Sequence, residues 1–117
     1  MLFRSNDTYG HLIGDEVLKT LAHTLVNGIR KSDVIARWGG EEFVILLPDS
    51  ELSSALKLAE ALRAKIAGSN FSPVQKSITC SIGVARWNES ETADELLKRV
   101  DEKLYRAKES GRNKVVS

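Results

Sequence analysis

An excess of either sign of charge is nearly absent from this sequence. Seventeen basic residues against sixteen acidic ones leave a net charge of +1. That excludes a general electrostatic attraction to nucleic acid or to a membrane surface. Cysteine is down to a single residue, Cys80, in an apolar stretch; no internal disulfide can form, and a reduced, cytoplasmic protein is the simplest reading. Long hydrophobic runs are missing too. The longest, Phe43–Leu47, falls far short of the ~20 apolar residues a membrane-spanning helix needs, and no signal peptide is visible. Internal repeats, low-complexity segments and linkers are also lacking. At 117 residues, 42% of them hydrophobic, what remains is one small globular domain.

The apolar residues that are present fall into clear periods. Val17, Leu18, Leu21, Ala22, Leu25, Val26 and Ile29 recur at helical spacing, with Asp15 and Glu16 at the opening, where the helix dipole favours negative charge. His23 falls on the opposite face, with nothing nearby to complete a metal set. Pro48-Asp49-Ser50 then breaks a strand, and Leu52, Ala55, Leu56, Ala59, Leu62 and Ile66 mark a second helix that stops at Gly68. Ser77–Arg86 alternates Ile78, Cys80, Ile82 and Val84 with small or polar partners, the pattern of a strand buried on at least one face. Thr92 followed by Glu95 is a capping box. The helix it opens turns Leu96, Leu97, Val100, Leu104 and Ala107 inward and ends near Gly111. Asn113–Val116 is a candidate short strand. Helix, hairpin, helix, strand, helix and short strand predict an α+β fold, with helices packed on a mostly antiparallel sheet.

The stretch around which these elements are organised is Asp33 to Pro48, DVIARWGGEEFVILLP. Two apolar runs, Val34–Ala36 and Phe43–Leu47, flank Gly39-Gly40-Glu41-Glu42, the pattern of a β-hairpin. The glycines allow the positive φ of a tight loop and the close approach of a phosphate. Two adjacent carboxylates repel each other, and folding alone gives no reason to keep them at a tip. A metal cation or a proton-transfer task supplies one; a solvated acidic turn is the alternative.

Gly-Gly-Glu-Glu-Phe between apolar strands resembles the signature of the GGDEF family, the diguanylate cyclases. The likeness extends from residue 6 to about 116. Asn6-Asp7-Thr8-Tyr9-Gly10-His11 with Gly14-Asp15, Ser81-Ile82-Gly83-Val84-Ala85, and Asp101 to Lys108 with Gly111-Arg112-Asn113 are similar to the family's motifs in order. Several separate motifs in sequence are far harder to produce by chance than one.

The resemblance implies a palm-like nucleotidyl-cyclase domain that condenses two GTP molecules into cyclic di-GMP and releases pyrophosphate, with Mg²⁺ (or Mn²⁺) as cofactor. It makes Glu41 and Glu42 the catalytic and metal-holding residues, which of them is base and which ligand being left open. Gly39 and Gly40 would lie against the triphosphate. Asn6 and Asp15 match the guanine readers, the alternatives being turn capping for Asn6 and a dipole partner for Asp15. Lys108 and Arg112 match a phosphate-contacting pair at a helix exit, where cations also complement the dipole. Arg30-Lys31-Ser32-Asp33 matches the family's inhibitory product site, R-x-x-D ending five residues before Gly39. The bare motif also fits Arg4–Asp7, and a helix-ending Arg with a turn Asp is the alternative. A homodimer and an upstream sensor domain are the implied partners.

One departure stands at the start. Family domains begin with an apolar strand ending in Asp-x-Asp, then Phe-Lys about three residues before the Asn. Here five residues precede Asn6, Phe3 stands where the Lys belongs, and Arg4 is one place out of register. The expectation is therefore that residues 1–5 are a non-family junction and that residues 6–117 form the domain without its first strand. Such a strand would bury about four apolar side chains, or roughly 6–12 kcal/mol. With one metal carboxylate lost as well, the chain is expected to be inactive as written. The alternative function is a non-catalytic cyclic di-GMP or GTP binding module.

Overall fold

A computed structural model describes residues 2–7, 15–39, 42–68 and 79–117, and of 2–7, 15–18 and 38–39 the backbone alone. The elements run β1 (Leu2–Asp7), α1 (Asp15–Asn27), β2 (Val34–Gly39), β3 (Glu42–Leu46), α2 (Leu52–Ala67), β4 (Cys80–Ala85), α3 (Ala93–Glu109) and β5 (Val115–Val116). The five strands form one sheet in the order β2-β3-β1-β4-β5. The pairs β2/β3, β3/β1 and β1/β4 are antiparallel, and β4/β5 is parallel. The fold is α+β, as the periodicities predict.

The segment read as a junction ahead of the domain is paired in the structure as a strand, β1. Leu2 to Ser5 pair with Leu46 to Phe43 on one side, and Leu2 to Asp7 pair with Ala85 to Cys80 on the other, so this segment is the central strand. Its sequence, LFRSND, holds two apolar residues and no alternation, which is why periodicity passes over it. Strand formation depends strongly on context, and here β3 and β4 offer backbone donors and acceptors on both flanks.

Alternation in β3 and β4 sorts the core into two layers. Phe43, Ile45, Leu47, Cys80, Ile82 and Val84 face α1 and α2, where Leu21, Leu25, Ala55, Ala59, Leu62 and Ile66 meet them. Val44 and Ala85 face the other way, against Leu96 and Val100 of α3. Every residue of β4 is buried as a result. Burial of a Leu or Ile of this kind stabilises the fold by about 1.5–3 kcal/mol. Gly83 is the close-approach point of the second layer. A Cβ there would stand 2.5 Å from the Leu104 backbone N and 2.6 Å from the Val100 carbonyl oxygen.

α3 begins as its sequence predicts. The Thr92 hydroxyl accepts from the Glu95 N–H, and the Glu95 carboxylate accepts from the Thr92 N–H, each at 3.2 Å. The loop before it is tied down by Glu91, which accepts from Arg99 Nε at 2.9 Å and from the Asn88 N–H at 2.8 Å. Arg99 holds the Glu91 carboxyl below its ordinary value, with help from the Asn88 amide. No helix among the described residues is long and apolar enough to cross a membrane.

Candidate functional site

Strand directions divide the candidate residues between the two ends of the sheet. β1 finishes at Asp7, β2 at Gly39, and β3 starts at Glu42, all at one end, with Gly39 opposite Glu42 across a register shift that follows Arg37. Asn6 lies in the same region, paired with Ser81 near the start of β4. α1 opens at Asp15 and its 13 residues rise ~20 Å, carrying the chain to the opposite end, where β2 begins. Its start therefore lies at the hairpin-turn end. α3 returns to that end as well. Past its last turn, the Asn113 N–H donates to Ser81 Oγ at 3.2 Å and the Ile82 N–H to the Lys114 carbonyl at 2.9 Å. Asn6, Asp15, Gly39, Glu42, Lys108 and Arg112 thus share one end of the molecule. Gly40 and Glu41 lie outside the described residues.

Lys108 and Arg112 reach that end by different routes. Lys108 is half-buried within α3, whereas Arg112 lies beyond the helix and is exposed. The chain reverses there through positive φ at Gly111 (116°), Arg112 (63°) and Asn113 (47°). Donation from the Arg112 N–H to the Ala107 carbonyl at 2.9 Å holds the reversal. Arg112 is therefore not a fourth-residue neighbour on the Lys108 helix face, and its side chain is aimed by the turn.

The donors at the hairpin turn suit a hard cation. The turn sequence supplies carboxylates, Glu41 and Glu42, with Glu42 half-buried at the first position of β3. Cys80, the soft donor, is buried in the core, and exposed His23 is engaged by Asn27 Nδ2 at 3.0 Å. An oxygen-only set fits Mg²⁺ or Mn²⁺ better than zinc. Among the described residues no group of three metal-binding side chains comes together. A cation held by Glu42 and its neighbour Glu41 would take its remaining oxygens from water and phosphate.

At the other end, Arg30 and Asp33 form one unit. Asp33 Oδ2 accepts from the Arg30 backbone N–H at 2.8 Å, and Oδ1 accepts from Arg30 Nη2 at 3.1 Å. The side chains differ in access: that of Arg30 is 57% exposed and that of Asp33 is 0% exposed. Arg30 Nη2 also donates to the Pro48 carbonyl at 3.0 Å and to Ser50 Oγ at 2.7 Å. Sequence reasoning finds the first two residues by their spacing. It misses Pro48 and Ser50, read there as a strand breaker, because their partner lies 18 and 20 residues away. Beside this unit opens a cavity of about 260 Å³, lined in part by Gly28, Ile29, Ser54 and Leu58.

The comparisons with known proteins agree with the motif reading. The family model described as "Diguanylate cyclase, GGDEF domain" matches residues 3–114. Diguanylate cyclase DgcM of Escherichia coli strain K12 is 54% identical over 112 residues, which are 96% of this chain and 27% of that protein. The response regulator PleD of Caulobacter vibrioides strain NA1000 is 48% identical over 116 residues, 95% of this chain and 26% of that protein. The chain thus spans about a quarter of the length of these curated relatives. Among solved structures, the active GGEEF domain of a diguanylate cyclase from Vibrio cholerae superposes with a TM-score of 0.87 at 30% identity, over 98% of this chain and 80% of that one. The GGDEF domain of DgcB from Caulobacter crescentus, in complex with c-di-GMP, gives 0.87 at 26% identity, over 98% and 75%. This chain belongs to the GGDEF-domain family, the diguanylate cyclases.

Proposed function

We propose that this domain is the synthetic unit of a diguanylate cyclase, condensing two GTP molecules into cyclic di-GMP. The observation that carries the reading is the shared placement of Asn6, Asp15, Gly39, Glu42, Lys108 and Arg112 at the hairpin-turn end of the sheet. Asn6 and Asp15 read the guanine edge, whose N1–H and N2–H suit a carboxylate and whose O6 suits an amide N–H. Gly39 and Gly40 admit the triphosphate, and Lys108 and Arg112 neutralise its outer charge. Glu41, with Glu42 beside it, accepts the proton of the attacking ribose 3′-hydroxyl as that oxygen bonds to the α-phosphorus of the second GTP and pyrophosphate departs in line. Bound Mg²⁺ supplies polarisation of the phosphate. The product is two-fold symmetric and each domain holds one GTP, so two copies face each other in a homodimer. Arg30 and Asp33 form a second, inhibitory site for the product. A sensor domain elsewhere in a longer polypeptide governs the encounter of the two copies, and the whole operates in the cytoplasm.

The chain as written holds no Asp-x-Asp among residues 1–5. The test compares it with a variant in which residues 1–5 are replaced by a strand ending in Asp-x-Asp, each incubated with GTP and Mg²⁺. The variant is expected to form cyclic di-GMP and pyrophosphate, and Glu41→Ala in that variant to abolish both. A variant that binds GTP and cyclic di-GMP yet forms no product would favour the binding-module reading instead.

A further inference from the structure

Arginine side chains at a surface are ordinarily mobile and lose much rotamer freedom when fixed. Arg30 is 57% exposed and is nevertheless fixed from two directions. Asp33 holds it from within its own turn. The Pro48-Asp49-Ser50 turn holds it from the far end of β3, through the Pro48 carbonyl at 3.0 Å and Ser50 Oγ at 2.7 Å. The shorter contact is to the serine. Its hydroxyl in turn donates to the Pro48 carbonyl at 3.3 Å, so the two acceptors form one small cradle for Nη2. Asp49 adopts φ of 53°, the left-handed conformation that Asp tolerates better than most residues. That twist brings the carbonyl before it and the side chain after it to one side of the turn.

Nε and Nη2 are both turned inward, Nε lying 3.5 Å from Asp33 Oδ2. Nη1 meets no acceptor among the described residues, which leaves its two hydrogens as the edge of Arg30 available to a ligand acceptor such as guanine O6 or N7. We infer that Ser50 is a positioning residue for ligand capture: it holds Arg30 in place at the 260 Å³ cavity that this arginine lines before cyclic di-GMP arrives. This rests on the reading of Arg30 and Asp33 as a product site. Ser50 also lines that cavity, and the role assigned to it is exerted through Arg30. Its contribution is that less side-chain freedom is lost on binding.

The test is calorimetric titration of the full chain with cyclic di-GMP, alongside Ser50→Ala, Ser50→Thr and Arg30→Ala, with melting temperatures recorded for each. Ser50→Ala is expected to melt with the parent and to bind about three- to tenfold more weakly. Ser50→Thr, which keeps the hydroxyl, is expected to restore binding; a merely structural contact would give no such rescue at equal stability. Arg30→Ala should lose binding. If Ser50→Ala binds as tightly as the parent while Arg30→Ala does not bind, the positioning role is wrong and the product site stands. If Arg30→Ala binds like the parent, the product-site reading falls and the inference with it.

Discussion

Asp33 shows how a residue's place in a motif and its place in space can differ. R-x-x-D spacing brings Arg30 and Asp33 to mind as two equivalent ligand contacts, but the Asp33 side chain is 0% exposed and its carboxylate is turned to Arg30. It closes the turn that ends in β2 by accepting from the Arg30 backbone N–H, and it fixes the guanidinium by accepting from Nη2. Asp33→Ala therefore removes two supports together. It leaves a part-buried N–H without its acceptor, at a cost of about 1–3 kcal/mol, and frees the arginine. Thermal denaturation should register the first effect and cyclic di-GMP titration the second, which sets this variant apart from Ser50→Ala. An Asp33→Ala protein as stable as the parent would show that the buried carboxylate is not structural. The spacing was legible from the sequence because it is local. The burial of Asp33 and the participation of Ser50 were not, since both are fixed by β3 and the turn that follows it.

At the scale of elements, legibility tracks how much of the stabilisation is local. The Thr92–Glu95 capping box is complete within four residues and can be read directly; so can the inward face of α3, where Leu96, Val100, Leu104 and Ala107 are all buried. β1 is the opposite case, stabilised by pairing with strands about 40 and 80 positions further along and carrying no periodicity of its own. Gly83 lies between these extremes. Its motif, Ser81-Ile82-Gly83-Val84-Ala85, marks a strand, but only the packed helix gives the glycine a physical reason. A methyl group at this position meets backbone atoms of Val100 and Leu104 at 2.5–2.6 Å, and backbone cannot rotate aside as a side chain can. Gly83→Ala must lift α3 from the sheet, which opens the layer formed by Val44, Ala85, Leu96 and Val100. The expected loss is about 1–3 kcal/mol or more, seen as a lower midpoint in urea denaturation. Ala85→Gly on the same face should cost less, having no clash to relieve. Equal stability of Gly83→Ala and the parent would mean that α3 does not approach β4 this closely in solution.

For the whole molecule, the β2–β3 hairpin acts as a ruler between two sites. The Arg30 unit is bonded to Pro48 and Ser50 beyond one end of the pair, and Gly39 faces Glu42 at the other. Five residue steps separate Val34 from Gly39, about 17 Å at the strand rise, with the Arg30–Asp33 turn beyond that. A base held by Arg30 thus cannot reach the hairpin turn of its own domain. Under the proposed function, inhibition through Arg30 would act on how two domains are oriented and not by filling the place of GTP. Two results follow. In the chain as written, Glu41→Ala should bind cyclic di-GMP like the parent, since its sequence neighbour Glu42 lies at the far end of the hairpin. In the variant carrying Asp-x-Asp before Asn6, Arg30→Ala should continue to synthesise cyclic di-GMP after the parent has stalled on accumulated product, with KM for GTP changed less than twofold. A competitive mechanism would give the opposite pattern, with product inhibition relieved by raising GTP and Glu41→Ala losing cyclic di-GMP as fully as Arg30→Ala. That outcome would place product and substrate at one end of the sheet and undo the separation that the strand register implies.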